Sequence, residues 1–104
     1  MRRKELAHIV SALKEYDPER IIVFGSHARG EADEHSDLDI VIIKETKERF
    51  LDRLKTVYEL VQPTFALDVL VYTPGEFAEM RKQSNPFIEM VLKEGVVIYE
   101  KPKS

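Results

Sequence analysis

A short apolar run that ends in a glycine–serine pair is the feature that most limits how this chain can fold. Residues 21–24 read IIVF, which is typical of a buried strand, and Gly25 and Ser26 follow directly. Glycine lets the backbone approach a ligand closely at such a turn. If a short helix starts near Ser26, its free amide groups and the serine hydroxyl face whatever lies above the strand. The turn is therefore suited to binding an anion.

Two aspartates follow this turn at alternate positions, Asp37 and Asp39. Alternate side chains of a strand share one face, roughly 6.8 Å apart along the backbone, so both carboxylates are expected to point the same way. Two carboxylates on one face can share cations. Oxygen ligands select hard ions such as Mg²⁺ or Mn²⁺, which also bind substrate phosphates. The pair and the preceding turn together predict metal-dependent phosphoryl chemistry.

A third acid is expected on a neighbouring strand, and Asp68 is the candidate. It is the one charged residue in the apolar run of residues 65–72. A lone carboxylate in a buried strand is costly unless it is paired or bound to a metal. We therefore predict that Asp68 lies beside the metals held by Asp37 and Asp39. The alternative is an acid at a strand edge that faces solvent or pairs with a nearby lysine or arginine.

Arg29 is the candidate phosphate ligand beyond the turn itself. It follows Ser26 by three positions, which places both residues on the same face of a short helix. A guanidinium group matches the geometry of phosphate oxygens, so a contact with a triphosphate is predicted, although Arg29 could equally be a surface helix residue. His27 and His35 flank the same segment and are interpreted as surface histidines without a catalytic role.

Together these residues resemble the nucleotidyltransferase superfamily of DNA polymerase beta, whose pattern is Gly-Ser, then Asp-x-Asp, then a distant third acid. The fuller form, Gly-Ser-x-x-Arg-Gly-x5-Ser-Asp-x-Asp-Leu, matches at every fixed position except the last, where Ile40 replaces leucine. The spacing is most similar to that of the minimal nucleotidyltransferases. These small proteins, often called MntA-like antitoxins, are commonly encoded beside a HEPN-domain partner.

The resemblance implies a Mg²⁺-dependent enzyme that transfers AMP from ATP to an acceptor hydroxyl and releases pyrophosphate. Two Mg²⁺ ions are expected, with Mn²⁺ as an alternative. The catalytic and metal-binding residues would be Asp37, Asp39 and Asp68, and the phosphate-binding residues would be Gly25, Ser26 and Arg29. Similarity to MntA-like proteins also implies that the acceptor is a tyrosine hydroxyl of a HEPN-family toxin, which adenylylation would silence.

Two other functions stay open at this point. One is a non-catalytic antitoxin that acts by binding its partner, with a vestigial nucleotide site, although the intact acids argue against it. The other is a small-molecule nucleotidyltransferase of the antibiotic-modifying type, whose added helical domain 104 residues cannot hold. A template-directed polymerase is disfavoured for the same reason.

Length and composition set the remaining limits. The chain is expected to form one small nucleotidyltransferase domain over residues 1–104, with a charged tail from about residue 100. Its net charge of −3 predicts no direct nucleic-acid binding, and the absence of cysteine excludes thiolate metal sites. No run has the length of a signal peptide core or a membrane span, so a cytoplasmic location without membrane contact is the default expectation. Homo- and hetero-oligomers are both left open.

The periodicity predicts an α/β or α+β domain with a mixed sheet flanked by helices, as in the polymerase-beta-palm-like core that the resemblance implies. The first helix is expected to continue towards Asp17 and Pro18, and the last strand is expected over residues 96–99. The other helices are marked by apolar residues at helical spacing (Phe50, Leu54, Val57 and Val61) and by two proline-containing starts (Thr73-Pro74 and Asn85-Pro86).

Overall fold

The computed structural model describes residues 2–33 and 35–102, and five helices and four strands lie in this part of the chain. None of these helices is long and apolar enough to cross a membrane. The helices are α1 (Arg3–Ala12), α2 (Ser26–Arg29), α3 (Phe50–Val61), α4 (Pro74–Lys82) and α5 (Pro86–Glu94). The strands are β1 (Arg20–Phe24), β2 (Leu38–Ile43), β3 (Leu67–Tyr72) and β4 (Val96–Glu100).

The four strands form one mixed sheet, as predicted, in the order β3-β2-β1-β4. β1 is antiparallel to both β2 and β4, whereas β2 and β3 are parallel. Parallel neighbours need a crossover connection, and α3 provides it between β2 and β3. As a result, the chain enters β2 and β3 at the same end of the sheet, which is also the end where β1 finishes.

Both faces of the sheet are covered, each by a different pair of helices. The first face packs against α1 and α3 and buries, among others, Ile9, Leu38, Ile40, Ile42, Val57 and Val61. The second packs against α4 and α5 and buries Ile22, Val41, Ile43, Phe77, Ile88 and Val91. Because strand side chains alternate, Asp39 is on the second face with Val41. Asp68 is on the same face, two residues before Leu70.

The two helix starts that were predicted from Thr73-Pro74 and Asn85-Pro86 are confirmed. Thr73 precedes Pro74 and forms a capping box with Glu76: the Thr73 hydroxyl accepts the Glu76 N–H at 3.1 Å, and the Glu76 carboxylate accepts the Thr73 N–H at 2.8 Å. Asn85 caps α5, since its Oδ1 accepts the Phe87 N–H at 2.9 Å. Proline in the first turn costs these helices no hydrogen bond, because that amide has no helical partner.

The ends of two other elements differ from the prediction. α1 ends at Ala12, and the chain reaches β1 through turns that include Asp17 at a φ of +57°. β4 extends one residue further than expected because Glu100 is the register partner of Arg20 on β1, and the two side chains also form an ion pair at 3.4 Å. Lys101 is also held, by Asp17 at 2.8 Å. Residues 103 and 104 of the predicted charged tail lie outside the described residues.

A buried arginine ties β3 to the helices around it. Arg53 on α3 donates to the Val71 carbonyl at 3.1 Å and to the Glu76 carboxylate at 2.6 Å, and its Nε donates to the Glu48 carbonyl at 2.9 Å. These bonds satisfy a buried charge that would otherwise be expensive. The hydrogen bond from Arg53 lowers the pKa of Glu76. The network holds the strand that carries Asp68 against α3 and α4.

Candidate active site

The turn after β1 has the backbone conformation that its sequence predicted. Gly25 has a φ of +76° and a ψ of −154°, which L side chains rarely adopt. Ser26 begins the four-residue helix α2, in which the Arg29 amide donates to the Gly25 carbonyl at 3.1 Å. Gly30 ends this helix at a φ of +73°. The short helix expected near Ser26 is therefore confirmed.

Gly25 lies directly against the carboxylate of Asp39. Phe24, the residue before the turn, is the register partner of Asp39 on β2. A Cβ built on Gly25 would overlap Asp39 Oδ2 and lie 3.3 Å from Asp39 Cγ. Both this overlap and the positive φ exclude a side chain at position 25. The glycine thus allows the turn and the carboxylate to occupy one end of the sheet together.

Asp39 and Asp68 face each other across the parallel strands. They are register partners in the β2–β3 ladder and share the face of the sheet that α4 and α5 cover further along. Asp39 is half-buried and Asp68 is exposed. The expectation that Asp68 sits in a buried strand was wrong, because β3 is an edge strand that buries Leu67 and Val69 on one face and leaves Asp68 uncovered on the other. Its predicted neighbour, Asp39, is nevertheless beside it.

Asp37 lies just outside the strand that was expected to carry it. β2 begins at Leu38, and Asp37 is the exposed residue before it. The charge of Asp37 still contributes to raising the pKa of Asp39, so the two carboxylates interact. The structure therefore brings Gly25, Asp37, Asp39 and Asp68 to the same end of the sheet.

Among these acids, the half-buried Asp39 has a clearly raised pKa. Its pKa is raised from 3.8 to about 6, first because burial disfavours the charged form and then because of a side-chain hydrogen bond with Asp68. Repulsion from Asp68 and Asp37 raises it further, and His27 partly offsets these effects. The carboxylates are crowded enough to repel one another, and a bound cation would relieve that repulsion.

The raised pKa predicts that Asp39→Asn stabilises the protein at neutral pH in the absence of divalent cations. The folded state keeps the Asp39 proton up to about pH 6, whereas the unfolded chain loses it near about pH 4. Stability therefore falls as pH rises from about 4 through about 6, and Asn removes this loss. Allowing for solvent exposure, we expect a gain of about 1–2 kcal/mol at pH 7 and little at pH 4.

Urea denaturation of the parent and of Asp39→Asn in EDTA, at pH 4 and at pH 7, measures this difference. An equal stability gap at both pH values would contradict it, because only a titrating group makes the gap depend on pH. Titrating groups that do not interact with Asp39 are common to both proteins and cancel in the comparison.

The donor chemistry of the site fits a hard cation such as Mg²⁺. All of the candidate ligands are carboxylate oxygens. Among residues 2–33 and 35–102, no three His, Cys, Asp or Glu side chains are grouped closely enough to hold a metal by themselves. Mg²⁺ usually keeps several waters and takes further ligands from substrate phosphates. Asp37, Asp39 and Asp68 would therefore supply part of the coordination and the nucleotide the rest.

Arg29, the predicted triphosphate ligand, is engaged by two carboxylates. Its Nε donates to Glu31 at 3.3 Å, and its NH1 lies 3.6 Å from Glu94 at the end of α5. The arginine is exposed at the rim of the turn. A role in phosphate binding stays a prediction, and phosphate oxygens would compete with these two carboxylates for Arg29.

His27 is a structural member of the site that the sequence interpretation missed. It is only 5% exposed, and its Nε2 donates to the Ser36 carbonyl at 3.3 Å. The bond connects α2 with the segment that leads into Asp37. Its place in a one-turn helix was the available signal: Ser26 and Arg29 share one side of the turn, so His27 lies on a different side, which here faces the protein.

Tyr58 holds the start of β3 in place by a hydrogen bond, as His27 holds the segment before Asp37. Its hydroxyl donates to the Leu67 carbonyl at 2.5 Å. Burial raises the pKa of Tyr58, and the charge of Asp68 raises it further. Tyr58 thus anchors the first residue of β3 immediately before Asp68.

The family model for Polymerase beta, Nucleotidyltransferase, matches residues 7–104. The chain belongs to this nucleotidyltransferase family. The match includes the Gly25 turn, both aspartates around β2 and Asp68, so the resemblance seen in the sequence is confirmed. The chain is therefore a nucleotidyltransferase with the fold of the polymerase beta family.

Two relatives align with all or most of the chain. A Haemophilus influenzae protein named "Probable protein adenylyltransferase MntA" is 33% identical over 107 aligned positions, which cover 100% of this chain and 87% of the relative. A Methanocaldococcus jannaschii protein, also named as a protein adenylyltransferase, is 30% identical over 95 positions, which cover 91% of this chain and 93% of that protein.

Solved structures show the same fold at lower identity. A Sulfolobus solfataricus protein described as a nucleotidyltransferase matches with a TM-score of 0.66 and 21% identity, covering 98% of this chain and 86% of that one. A chain of a toxin–antitoxin structure with AMP-PNP matches with a TM-score of 0.63 and 18% identity, covering 92% and 73%. These likenesses establish the fold.

Proposed function

We propose that this protein is a Mg²⁺-dependent adenylyltransferase of the cytoplasm that transfers AMP from ATP to a hydroxyl group of a partner toxin and releases pyrophosphate. The observation that carries the proposal is the meeting of three elements at one end of the sheet. Gly25 brings the turn against Asp39, and the parallel register places Asp68 beside Asp39. This arrangement combines an anion-binding turn with the oxygen ligands of a hard cation.

The three aspartates are the proposed metal ligands of the site. Asp37, Asp39 and Asp68 would hold two Mg²⁺ ions, with Mn²⁺ as an alternative. When bound, such ions stabilise charge on the attacking and leaving oxygens of a phosphoryl transfer. Asp39 is the residue best placed to help hold both ions, because it lies between the Gly25 turn and Asp68.

The acceptor side of the site is assigned to Asp68. Its exposed carboxylate is accessible to a hydroxyl presented by another molecule, and it would take the proton of that hydroxyl. The acceptor oxygen then bonds to the α-phosphorus of ATP while the bond to the bridging oxygen breaks, and pyrophosphate leaves. His27 and Tyr58 would hold the surrounding backbone in position through their bonds to the Ser36 and Leu67 carbonyls.

The leaving-group side is assigned to the turn and to Arg29. The amides after Gly25 and the Ser26 hydroxyl would donate to the terminal phosphates, and Arg29 would offset the charge that develops on pyrophosphate. These donors come from a short helix that is fixed to the end of β1. Positioning and electrostatics would then supply most of the rate enhancement, as is usual for phosphoryl transfer.

The proposed acceptor is a tyrosine hydroxyl on a HEPN-family toxin. Two observations support a protein acceptor: the relatives are named as protein adenylyltransferases, and a structural neighbour comes from a toxin–antitoxin structure with AMP-PNP. The exposure of Asp68 agrees with an acceptor as large as a protein, because the carboxylate can be reached from outside.

Incubation of the purified protein with the product of its neighbouring gene, labelled ATP and Mg²⁺ tests the proposal. ATP labelled at the α-phosphate should label the partner, and the partner's mass should increase by AMP units. ATP labelled at the γ-phosphate should leave the partner unlabelled. EDTA should abolish the transfer and added Mg²⁺ or Mn²⁺ should restore it. Labelling from the γ-phosphate, or labelling that survives EDTA, would contradict the proposed chemistry.

A further inference from the structure

The guanidinium of Arg29 is held between carboxylates from two distant parts of the chain. Glu31, in the loop after α2, accepts from Nε at 3.3 Å, and Glu94, the last residue of α5, lies 3.6 Å from NH1. The side chain of Arg29 is 38% exposed, that of Glu94 37% and that of Glu31 66%. All three groups therefore remain accessible to a ligand in solution.

The position of Glu94 follows from the fold. α5 ends at Glu94, and Val96 pairs with Val23 at the end of β1. The antiparallel strand therefore brings the end of α5 alongside the turn that starts at Gly25. Glu94 reaches the phosphate-binding segment through tertiary structure alone, since it is far from Arg29 in sequence.

We propose that Glu31 and Glu94 compete with the terminal phosphates of the nucleotide for Arg29 and so set the affinity for a nucleoside triphosphate. The inference rests on the proposed function, which assigns Arg29 to those phosphates. Glu31 accepts a hydrogen bond from Nε at 3.3 Å, and Glu94 forms an ion pair with NH1 at 3.6 Å. A triphosphate that approaches the guanidinium would therefore compete with both carboxylates for its charge and its N–H donors.

The two carboxylates are expected to weaken triphosphate binding without preventing it. Exposed ion pairs between single charges are weak, because solvent screens them. A triphosphate carries more charge and accepts charge-assisted hydrogen bonds, so it can replace the carboxylates. The two glutamates would then act as positioning residues: they lower the affinity for triphosphate and hold Arg29 at the rim of the turn when no nucleotide is bound.

Titration with a non-hydrolysable ATP analogue, and separately with AMP, tests the inference. Glu94→Gln and Glu31→Gln should each tighten triphosphate binding by about two- to fivefold, the size expected for loss of one exposed competing pair. AMP binding should not change, because AMP lacks the phosphates that Arg29 would contact. Glu89→Gln is the matched control, because Glu89 is an exposed acid on the same helix and is not a partner of Arg29 in the described structure.

A second set of variants separates competition from simple charge repulsion. In an Arg29→Ala background, Glu94→Gln should give no further gain if the glutamate acts through the arginine. A gain that persists without Arg29 would show a through-space effect and would overturn the inference. In steady-state transfer, Glu94→Gln should lower KM for ATP without raising kcat, whereas a structural defect would lower kcat.

Transfer by the parent protein, measured in parallel, separates this inference from the proposed function. If the parent transfers AMP but Glu94→Gln and Glu31→Gln leave triphosphate affinity unchanged or weaker, the competition is wrong and the proposed function stands. If the parent binds no triphosphate, both are wrong.

Discussion

Asp39→Asn is expected to abolish AMP transfer, with a loss on the order of 10²- to 10³-fold or more, comparable to removing one preorganised electrostatic group from an active site. Asp39 lies between the Gly25 turn and Asp68, so in the proposed mechanism its carboxylate would contribute to both the acceptor side and the leaving-group side of the site. Asparagine keeps the shape of the side chain and removes the charge. Transfer of label from α-labelled ATP to the partner measures the effect.

Folding cannot account for the expected loss, because the same substitution is predicted to raise stability at neutral pH. Circular dichroism and urea denaturation of the variant check this point. Asp52→Asn is the matched control: Asp52 is an exposed aspartate in the first turn of α3, and its replacement should leave transfer unchanged. Transfer by Asp39→Asn at the parent's rate in saturating Mg²⁺ would show that the carboxylate is not a metal ligand.

Asp68→Asn is expected to separate nucleotide binding from transfer. Asp68 is exposed at the end of an edge strand, so the substitution should not affect folding. The Gly25 turn and Asp39 remain, and Mg-ATP should still bind. Transfer should fall by a factor on the order of 10² or more, because the variant loses both a ligand on the acceptor side and the group that takes the acceptor's proton.

Cells that express the partner toxin give the physiological readout of this variant. If neutralisation depends on adenylylation, Asp68→Asn should fail to rescue growth, and the toxin should carry no AMP. If neutralisation depends on binding alone, the variant should rescue as well as the parent does, and the toxin should stay unmodified with either protein. Full rescue by a soluble, folded Asp68→Asn variant would therefore exclude catalysis as the mechanism of neutralisation.

Local sequence was sufficient to predict the turn after β1 and the helices α3, α4 and α5. The glycine at the turn, the prolines in the first turns of α4 and α5 and the apolar periodicity of α3 each act within a few residues of the position that they define. The spacing of Asp37 and Asp39 was a weaker signal, because it predicted both acids on one strand, whereas β2 begins at Leu38 and Asp37 lies just before it. The family match agrees with the pattern of a glycine turn followed by two acids.

Burial, by contrast, was misjudged where it depended on strand order. Asp68 stands in an apolar run, and apolar runs are typical of strands covered on both faces. The sheet order places β3 at an edge, and α4 and α5 cover the face that carries Asp68 only further along, so residue 68 is exposed while Leu67 and Val69 are buried on the opposite face. No feature of residues 65–72 distinguishes a central strand from an edge strand, because that difference is set by what pairs with the strand.

The sequence by itself determined which groups are available for the proposed chemistry: a glycine turn, two aspartates at alternate positions and an arginine one helical turn away. Tertiary structure alone decided which of these groups interact. The parallel β2–β3 register places Asp39 beside Asp68, and the return of the chain through β4 brings Glu94 to Arg29. Residue type and spacing act locally through the backbone, whereas such contacts depend on strand pairings between segments that are far apart in the chain.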